Sequence, residues 1–161
     1  MTIGQALERL QMQCCRCEYS TGQVRKKLLM WDMREKREGK PGFLPQEIDG
    51  AVEALVKERF VYDERFAGAY VRDKARFAKW GPAKIGYNLR MLGVEQQVIK
   101  RALDENSGLF GQDALEEVLM KKWKGYRESE SLQGRKNKLM RFALGRGYDY
   151  GQIMEIMKKL G

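Results

Sequence analysis

Apolar residues recur along this chain every three or four positions, which is the spacing of one face of an α-helix. The stretch from Ile48 to Val56 shows the pattern clearly, with Val52 and Leu55 on the same face. No segment alternates apolar and polar residues as a half-buried strand does. The pattern therefore predicts an all-α protein with nine helices and no sheet.

Residues that start and stop helices divide the chain at several places. Ser20 opens a capping-box sequence, and Pro45 and Pro82 suit the first turn of a helix. Asp63 is expected to cap the helix that follows it, and residues 35–42 are expected to form a flexible link. The other predicted helices with clear bounds are 2–17, 94–105, 111–127, 132–146 and 149–160.

An internal repeat is the strongest organisational signal. Gly42-Phe43, Gly93-Val94 and Gly147-Tyr148 each pair a glycine with a bulky apolar residue, and an isoleucine follows six positions after each glycine. The copies lie about 50 residues apart, and each is typical of a glycine that ends one helix before another begins. Because a unit of this size buries little apolar surface alone, consecutive units are expected to dock on one another. We predict three tandem three-helix repeats, over residues 1–60, 61–108 and 109–161, that form an elongated, curved array.

The net charge of the chain indicates an anionic partner. The chain has 31 lysines and arginines against 22 acidic residues, which gives a formal net charge of +9. An extended anionic partner fits this excess better than a cationic one. No apolar run approaches the length that a membrane span needs, and we expect a cytoplasmic protein.

The sequence contains few of the residues and motifs that enzymes use for catalysis. The chain contains no histidine, so the usual general base at neutral pH and the nucleophilic dyads that depend on it are missing. The acidic pairs stand at helix ends, where capping explains them, and no phosphate-binding glycine loop is present. We therefore expect no enzyme, no catalytic residues and no cofactor.

Three cysteines, Cys14, Cys15 and Cys17, lie close together inside one predicted helix. Neighbours this close have no sensible disulfide partner within the chain, so a reducing compartment fits best. A zinc site would need a fourth ligand from Glu18 or from another chain. We expect no metal site and interpret the cysteines as small apolar side chains.

Cationic residues cluster in two stretches, residues 72–90 and 121–146, and aromatic residues are interleaved with them. That combination can follow a phosphate backbone and stack on bases. The alternative for any single residue is an ordinary solvated surface, with the aromatic rings in the core. The candidate residues for binding DNA or a filament are Arg25, Lys26, Arg65, Arg72, Arg76, Lys79, Lys84, Arg90, Lys121, Lys122, Arg135, Lys138 and Arg141.

The helix expected after residue 63 has two contrasting faces on a helical projection. Phe77 and Ala78 lie on the apolar arc, and Arg65, Arg72, Arg76 and Lys79 form a cationic ridge on the opposite side. Lys74 is an exception, because it falls within the apolar arc. Its side chain is expected either to reach an edge of the helix or to pair with an acid across a helix contact.

Residues 61–103 read VYDERFAGAYVRDKARFAKWGPAKIGYNLRMLGVEQQVIKRAL. This run resembles the central region of the bacterial RecX regulatory proteins, and looser similarity extends to residues 20–29 and 135–153. The cysteine cluster and residues 35–43 depart from the family pattern. The shared motifs are Asp63-Glu64, Phe66-Ala67, Tyr70-Val71-Arg72, Gly81-Pro82, Leu89-Arg90 and Gly93-Val94.

The resemblance implies a fold of tandem three-helix repeats and a regulatory function. It implies a non-enzymatic modulator that lodges in the groove of the filament that the RecA recombinase forms on single-stranded DNA, and that also binds DNA. Occupying the groove would inhibit ATP hydrolysis, strand exchange and the coprotease activity of RecA, and so modulate recombination and repair. We expect a monomer whose partners are the RecA filament and single-stranded DNA, with double-stranded DNA as a further candidate.

Two other functions stay open from the sequence. The first is a general helical module that binds nucleic acid without specificity for RecA, which would prefer bare DNA over RecA-coated DNA. The second is a scaffold whose basic faces meet an acidic protein, which would not bind DNA even at low salt.

Overall fold

The computed structural model describes residues 1–161, and all of its regular elements are helical. The α-helices are α1 (Ile3–Cys14), α2 (Thr21–Arg37), α3 (Pro45–Lys57), α4 (Asp63–Arg76), α5 (Pro82–Met91), α6 (Gln96–Glu105), α7 (Gln112–Lys124), α8 (Leu132–Gly145) and α9 (Tyr150–Met157). A short 3-10 helix, Ser107–Phe110, precedes α7 and was not predicted. The prediction of an all-α chain with nine helices is confirmed. None of these helices combines the length and the apolar character needed to cross a membrane.

Most helix starts follow the capping chemistry of the sequence. The Ser20 hydroxyl accepts a hydrogen bond from the Gln23 amide at 3.1 Å, and the Gln23 side chain accepts from the Ser20 amide at 2.9 Å, which confirms the capping box. Pro45 and Pro82 are the first residues of α3 and α5, as predicted. These contacts satisfy amides that the first helical turn leaves without partners.

The prediction that Asp63 caps the helix that follows it is wrong. Asp63 is the first residue of α4 rather than the cap before it. Its carboxylate instead accepts a hydrogen bond from the Thr21 amide at 2.8 Å, at the start of α2. The side chain therefore stabilises the N-terminus of a helix that lies 42 positions away in the sequence.

Helix α1 is shorter than predicted. It ends at Cys14, where the amides of Cys15 and Cys17 turn back to the carbonyl groups of Gln11 and Gln13. Cys15 and Cys17 therefore lie beyond the helix, and the prediction that all three cysteines share one helix is wrong. The three thiols are free, and burial raises the pKa of the Cys14 thiol.

Two compact units share the chain. The first contains Met1–Ala67 with Arg90–Ile99, and the second contains Gly68–Leu89 with Lys100–Gly161. The core of the first unit includes Leu10, Val24, Leu28, Phe43, Ile48, Val52 and Leu55. The core of the second unit includes Leu115, Leu119, Leu139, Ile153 and Ile156. Ile48, Ile99 and Ile153, which follow the repeat glycines, are all buried, as a repeated core position requires.

One close backbone contact occurs once in each unit, and we call it the glycine joint. In the first unit Gly22 lies against Gly93, where a Cβ on Gly22 would come within 2.6 Å of the Gly93 Cα atom. In the second unit Gly81 lies against Gly147, where a Cβ on Gly81 would come within 2.5 Å of the Gly147 carbonyl oxygen. Gly93 and Gly147 have φ angles of 82° and 88°, which confirms their predicted place after a helix end.

Hydrogen bonds accompany both glycine joints. The Ser20 hydroxyl donates to the Leu92 carbonyl in the first, and the Gly81 amide donates to the Arg146 carbonyl at 2.5 Å in the second. The Ala83 amide also donates to the Gly147 carbonyl at 3.1 Å. The repeat detected in the sequence thus corresponds to a repeated mode of backbone packing.

The segment expected to be a flexible link begins inside a helix, because α2 continues through Arg37. The almost fully buried carboxylate of Asp32 accepts hydrogen bonds from the Phe43 amide at 2.7 Å and from the Lys36 ammonium at 2.8 Å. A Cβ on Gly42 would overlap the same carboxylate. Asp32 therefore joins the end of α2 to the chain that leads into α3.

We expect the free energy of unfolding of the Asp32→Asn variant to depend less on pH in the acid range than that of the parent protein. The hydrogen bonds from the Lys36 ammonium and from the Phe43 amide lower the pKa of the Asp32 carboxyl. A carboxyl with a lowered pKa in the folded state stabilises the protein above its unfolded pKa of about 3.9, and that stability is lost as the pH falls through the folded pKa.

Urea unfolding at pH 7, 5 and 3 measures this effect of Asp32→Asn. The variant should be less stable than the parent at neutral pH, and the difference should shrink toward pH 3. Asp104→Asn, at an exposed aspartate on α6, is the control and should leave the profile unchanged. If the free energy of unfolding of Asp32→Asn were lower than that of the parent by the same amount at every pH, the proposed role of the Asp32 carboxylate would be contradicted.

Candidate nucleic-acid interface

The C-terminal end of α4 presents three cations to solvent. Arg72, Arg76 and Lys79, which we call the α4-end cations, are exposed and make no ion pair. Helix α4 ends at Arg76, and Lys79 adopts a left-handed backbone with φ of 57° in the turn that follows. Unpaired cations at the surface can meet phosphates without first breaking an internal contact.

Phe77 does not lie on an apolar helical face. Its side chain is 82% exposed, the largest exposure among the exposed large apolar residues of the chain. The projection fails at this position because α4 has already ended at Arg76, and the turn directs the ring outward. An exposed aromatic ring thus lies beside the α4-end cations.

Lys74 does not pair with an acid, which was one of the two expected arrangements. Its ammonium nitrogen lies 4.8 Å from the ring centroid of Trp80 and 5.4 Å from that of Tyr70. The Lys84 ammonium lies 4.5 Å from the same Trp80 ring. Lys74 is therefore accommodated in the apolar arc by cation–π contacts rather than by an acid, and Trp80 is already engaged by two cations.

The candidate cations of the first unit differ in their partners. Arg25 forms an ion pair with Asp49 at 2.6 Å, and Arg65 forms one with Glu18 at 2.7 Å. The other two candidates in this unit, Lys26 and Arg90, are exposed and have no carboxylate partner. An exposed ion pair contributes about 0–1 kcal/mol, so the paired arginines could exchange partners at a small cost.

The candidate cations on α7 and α8 fall into three groups. Lys138 pairs with Glu130 at 2.5 Å. Lys122 lies 5.0 Å from the Phe142 ring centroid, and Arg135 lies 5.0 Å from that of Trp123. Lys121 and Arg141 are exposed and without an ion pair. The candidates of the whole chain that have neither an ion pair nor a cation–π contact are Lys26, Arg72, Arg76, Lys79, Arg90, Lys121 and Arg141.

A pocket of about 750 Å³ in the second unit brings members of both predicted cation clusters together. The cations that line it are Arg76, Lys79, Lys121, Lys122 and Arg146, and Glu117 is the acidic residue among its lining. A site with this charge favours an anionic ligand and opposes a metal ion, which needs several oxygen or sulfur donors.

Arg146 was not among the predicted candidates. Its guanidinium group donates to the Ala78 carbonyl at 2.9 Å and lies 5.1 Å from the Phe142 ring centroid. Burial raises the pKa of the neighbouring Tyr148 hydroxyl, which donates to the Lys79 carbonyl at 3.2 Å. The position of Arg146 beside the repeat glycine Gly147 was the signal in the sequence, since that glycine marks the joint.

Comparisons with known proteins agree on one family. The model of the second three-helix domain of RecX matches residues 63–103, and that of the third matches residues 111–157. "Regulatory protein RecX" of Clostridium acetobutylicum is 34% identical over 117 residues, which cover 70% of this chain and 53% of that protein. The corresponding protein of Pseudomonas syringae pv. tomato is 29% identical over 120 residues, which cover 74% of this chain and 75% of that protein. The chain spans about half the length of the Clostridium relatives that it matches.

Two solved structures are similar in fold. The crystal structure of RecX from Lactobacillus salivarius superposes with a TM-score of 0.77 at 20% sequence identity, over 98% of this chain and 96% of that one. A crystal structure of regulatory protein RecX gives a TM-score of 0.77 at 18% identity, over 98% of this chain and 71% of that one. The likeness confirms the predicted helical repeat architecture.

Proposed function

Because the chain belongs to the RecX family of regulatory proteins, we propose that it binds the RecA filament on single-stranded DNA and inhibits the activities of RecA. The structural observation that supports this proposal is the grouping of unpaired cations from α4 and α7 around one pocket. Filaments on DNA present a long series of phosphates and acidic side chains, which suits many separate cationic contacts.

The mechanism that we propose is steric and polyvalent. Each exposed cation contributes about 0.5–1 kcal/mol, and the contributions add up along the surface that faces the filament. The bound protein obstructs ATP hydrolysis, strand exchange and the coprotease activity without a chemical step of its own. Recombination and DNA repair in the cytoplasm would be modulated in this way by a monomer.

The experiment that tests this function is the RecA ATPase assay on single-stranded DNA. Filaments are formed first, and the protein is added in the presence of excess DNA at two salt concentrations. We expect inhibition that weakens at the higher salt, because each phosphate contact on a single strand adds about −0.7 to the slope of log affinity against log salt. An unchanged ATPase rate at both salt concentrations would contradict the proposal.

A general nucleic-acid-binding module is the second candidate function, and the exposed Phe77 beside the α4-end cations favours it. Such a module lowers the ATPase rate only by competing for bare DNA, so additional single strand should restore the rate. A filament regulator should keep its effect under the same addition, and should bind RecA-coated DNA more tightly than bare DNA.

A further inference from the structure

We propose that the pocket of the second unit binds an unstacked nucleotide of a single strand, with the base against Phe77 and the phosphates on Arg76, Lys79 and Lys121. The inference rests on the proposed function, because it takes single-stranded DNA as a partner. It adds a defined site and a base-dependent contact to what was otherwise a broad electrostatic surface.

The walls of the pocket have the two kinds of surface that a nucleotide needs. Apolar side chains come from the end of α4, the 3-10 helix and α7, and they include Ala75, Leu109, Ala114 and Val118. Cations line the same pocket, so a base can leave water while its phosphates keep charged partners. The volume of about 750 Å³ lies within the usual range for ligand pockets.

Phe77 is the aromatic ring of this pocket that remains open to a ligand. Phe142 is already contacted by the Lys122 ammonium at 5.0 Å and by the Arg146 guanidinium at 5.1 Å. Tyr148 is buried, and its hydroxyl is bound to the Lys79 carbonyl. The ring of Phe77 is 82% exposed, although leaving an apolar ring in water is unfavourable. Stacking with a base would remove that ring from water.

The cations around the pocket differ in how firmly their side chains are held. Arg146 is held by the Ala78 carbonyl and by Phe142, and it supplies a fixed positive charge. Arg76, Lys79 and Lys121 are exposed and unpaired, so they can adjust to successive phosphates. A base held by a ring with phosphates held by neighbouring cations is the usual arrangement for single-strand binding.

The test compares base-bearing and abasic strands in the absence of RecA. Fluorescence anisotropy is measured with a labelled oligothymidylate of roughly 16 nucleotides, with an abasic strand of the same length, and with a duplex. The parent protein should bind the oligothymidylate more tightly than the abasic strand. Phe77→Ala should weaken oligothymidylate binding by about 5- to 150-fold and leave binding to the abasic strand and to the duplex unchanged.

Tyr150→Ala is the matched control, because Tyr150 is an exposed aromatic residue that does not line the pocket. It should bind all three nucleic acids like the parent, and circular dichroism should show unchanged helicity for both variants. Equal affinity of the parent for the thymidine and abasic strands would overturn the site. So would a Phe77→Ala variant that keeps the parent's affinity for oligothymidylate, since the ring would then make no contact with the base.

This assay is independent of the proposed function. A parent protein that inhibits the RecA ATPase but binds thymidine and abasic strands equally would retain the regulatory role and lose the nucleotide site. A parent protein that binds oligothymidylate through Phe77 without affecting the ATPase would retain the site and lose the regulatory role.

Discussion

Gly147→Ala is expected to destabilise the protein by about 3 kcal/mol or more, whereas Gly145→Ala, two positions earlier, should be neutral or slightly stabilising. Gly147 has a φ of 88°, and a Cβ there would overlap the amide nitrogen and the Cβ of Lys84. The backbone strain alone costs about 1–3 kcal/mol, and the overlap forces one side of the glycine joint to move.

Gly145 makes a sharp control for this prediction. It is the last residue of α8, and a Cβ at this position would have no neighbouring atom within 4 Å. Alanine has the higher helix propensity, so the gain is up to about 1 kcal/mol. Urea unfolding of both variants measures the difference, and a loss of about 3 kcal/mol is large against typical total stabilities of about 5–15 kcal/mol. Equal midpoints for Gly147→Ala and Gly145→Ala would refute the importance of the joint.

In each glycine joint, one of the two glycines could not be predicted from the sequence. Gly93 and Gly147 were predicted to follow helix ends, because the spacing of the repeat and the adjacent apolar residue are local signals. Their partners, Gly22 and Gly81, lie in other parts of the chain. A pattern along one helix reports which residues share a face, but it does not report which backbone comes to lie against them.

The cationic and aromatic residues of the candidate site could be predicted from the sequence, but the ion pairs that some of the cations form could not. The two cationic stretches and their aromatic residues were visible in the sequence, and the structure places four of the predicted cations around one pocket. The acids that neutralise Arg25 and Arg65 come from other segments, so a projection of a single helix could not identify them. The exposure of Phe77 depends on where α4 ends, and helix ends are the least certain part of any prediction from sequence.

Replacing the three α4-end cations by glutamate is expected to weaken filament binding by about three orders of magnitude, with helicity unchanged. The triple variant is Arg72→Glu, Arg76→Glu and Lys79→Glu. Each change removes one attraction to an anionic partner and adds one repulsion, while no ion pair within the protein is broken. Arg76 and Lys79 line the pocket, so the effect should also appear on bare single-stranded DNA.

The matched control reverses three other exposed, unpaired cations, Lys57, Lys100 and Arg101. Both variants have the same net charge, so long-range attraction to DNA falls equally in the two proteins. Anisotropy titrations on RecA filaments, together with the ATPase assay, should then show a much larger loss for the α4-end variant. Inhibition of the ATPase that is unchanged in that variant would remove the α4-end cations from the binding surface. Equal losses in both variants would mean that total charge, rather than the surface around Arg72 to Lys79, holds the protein on its partner.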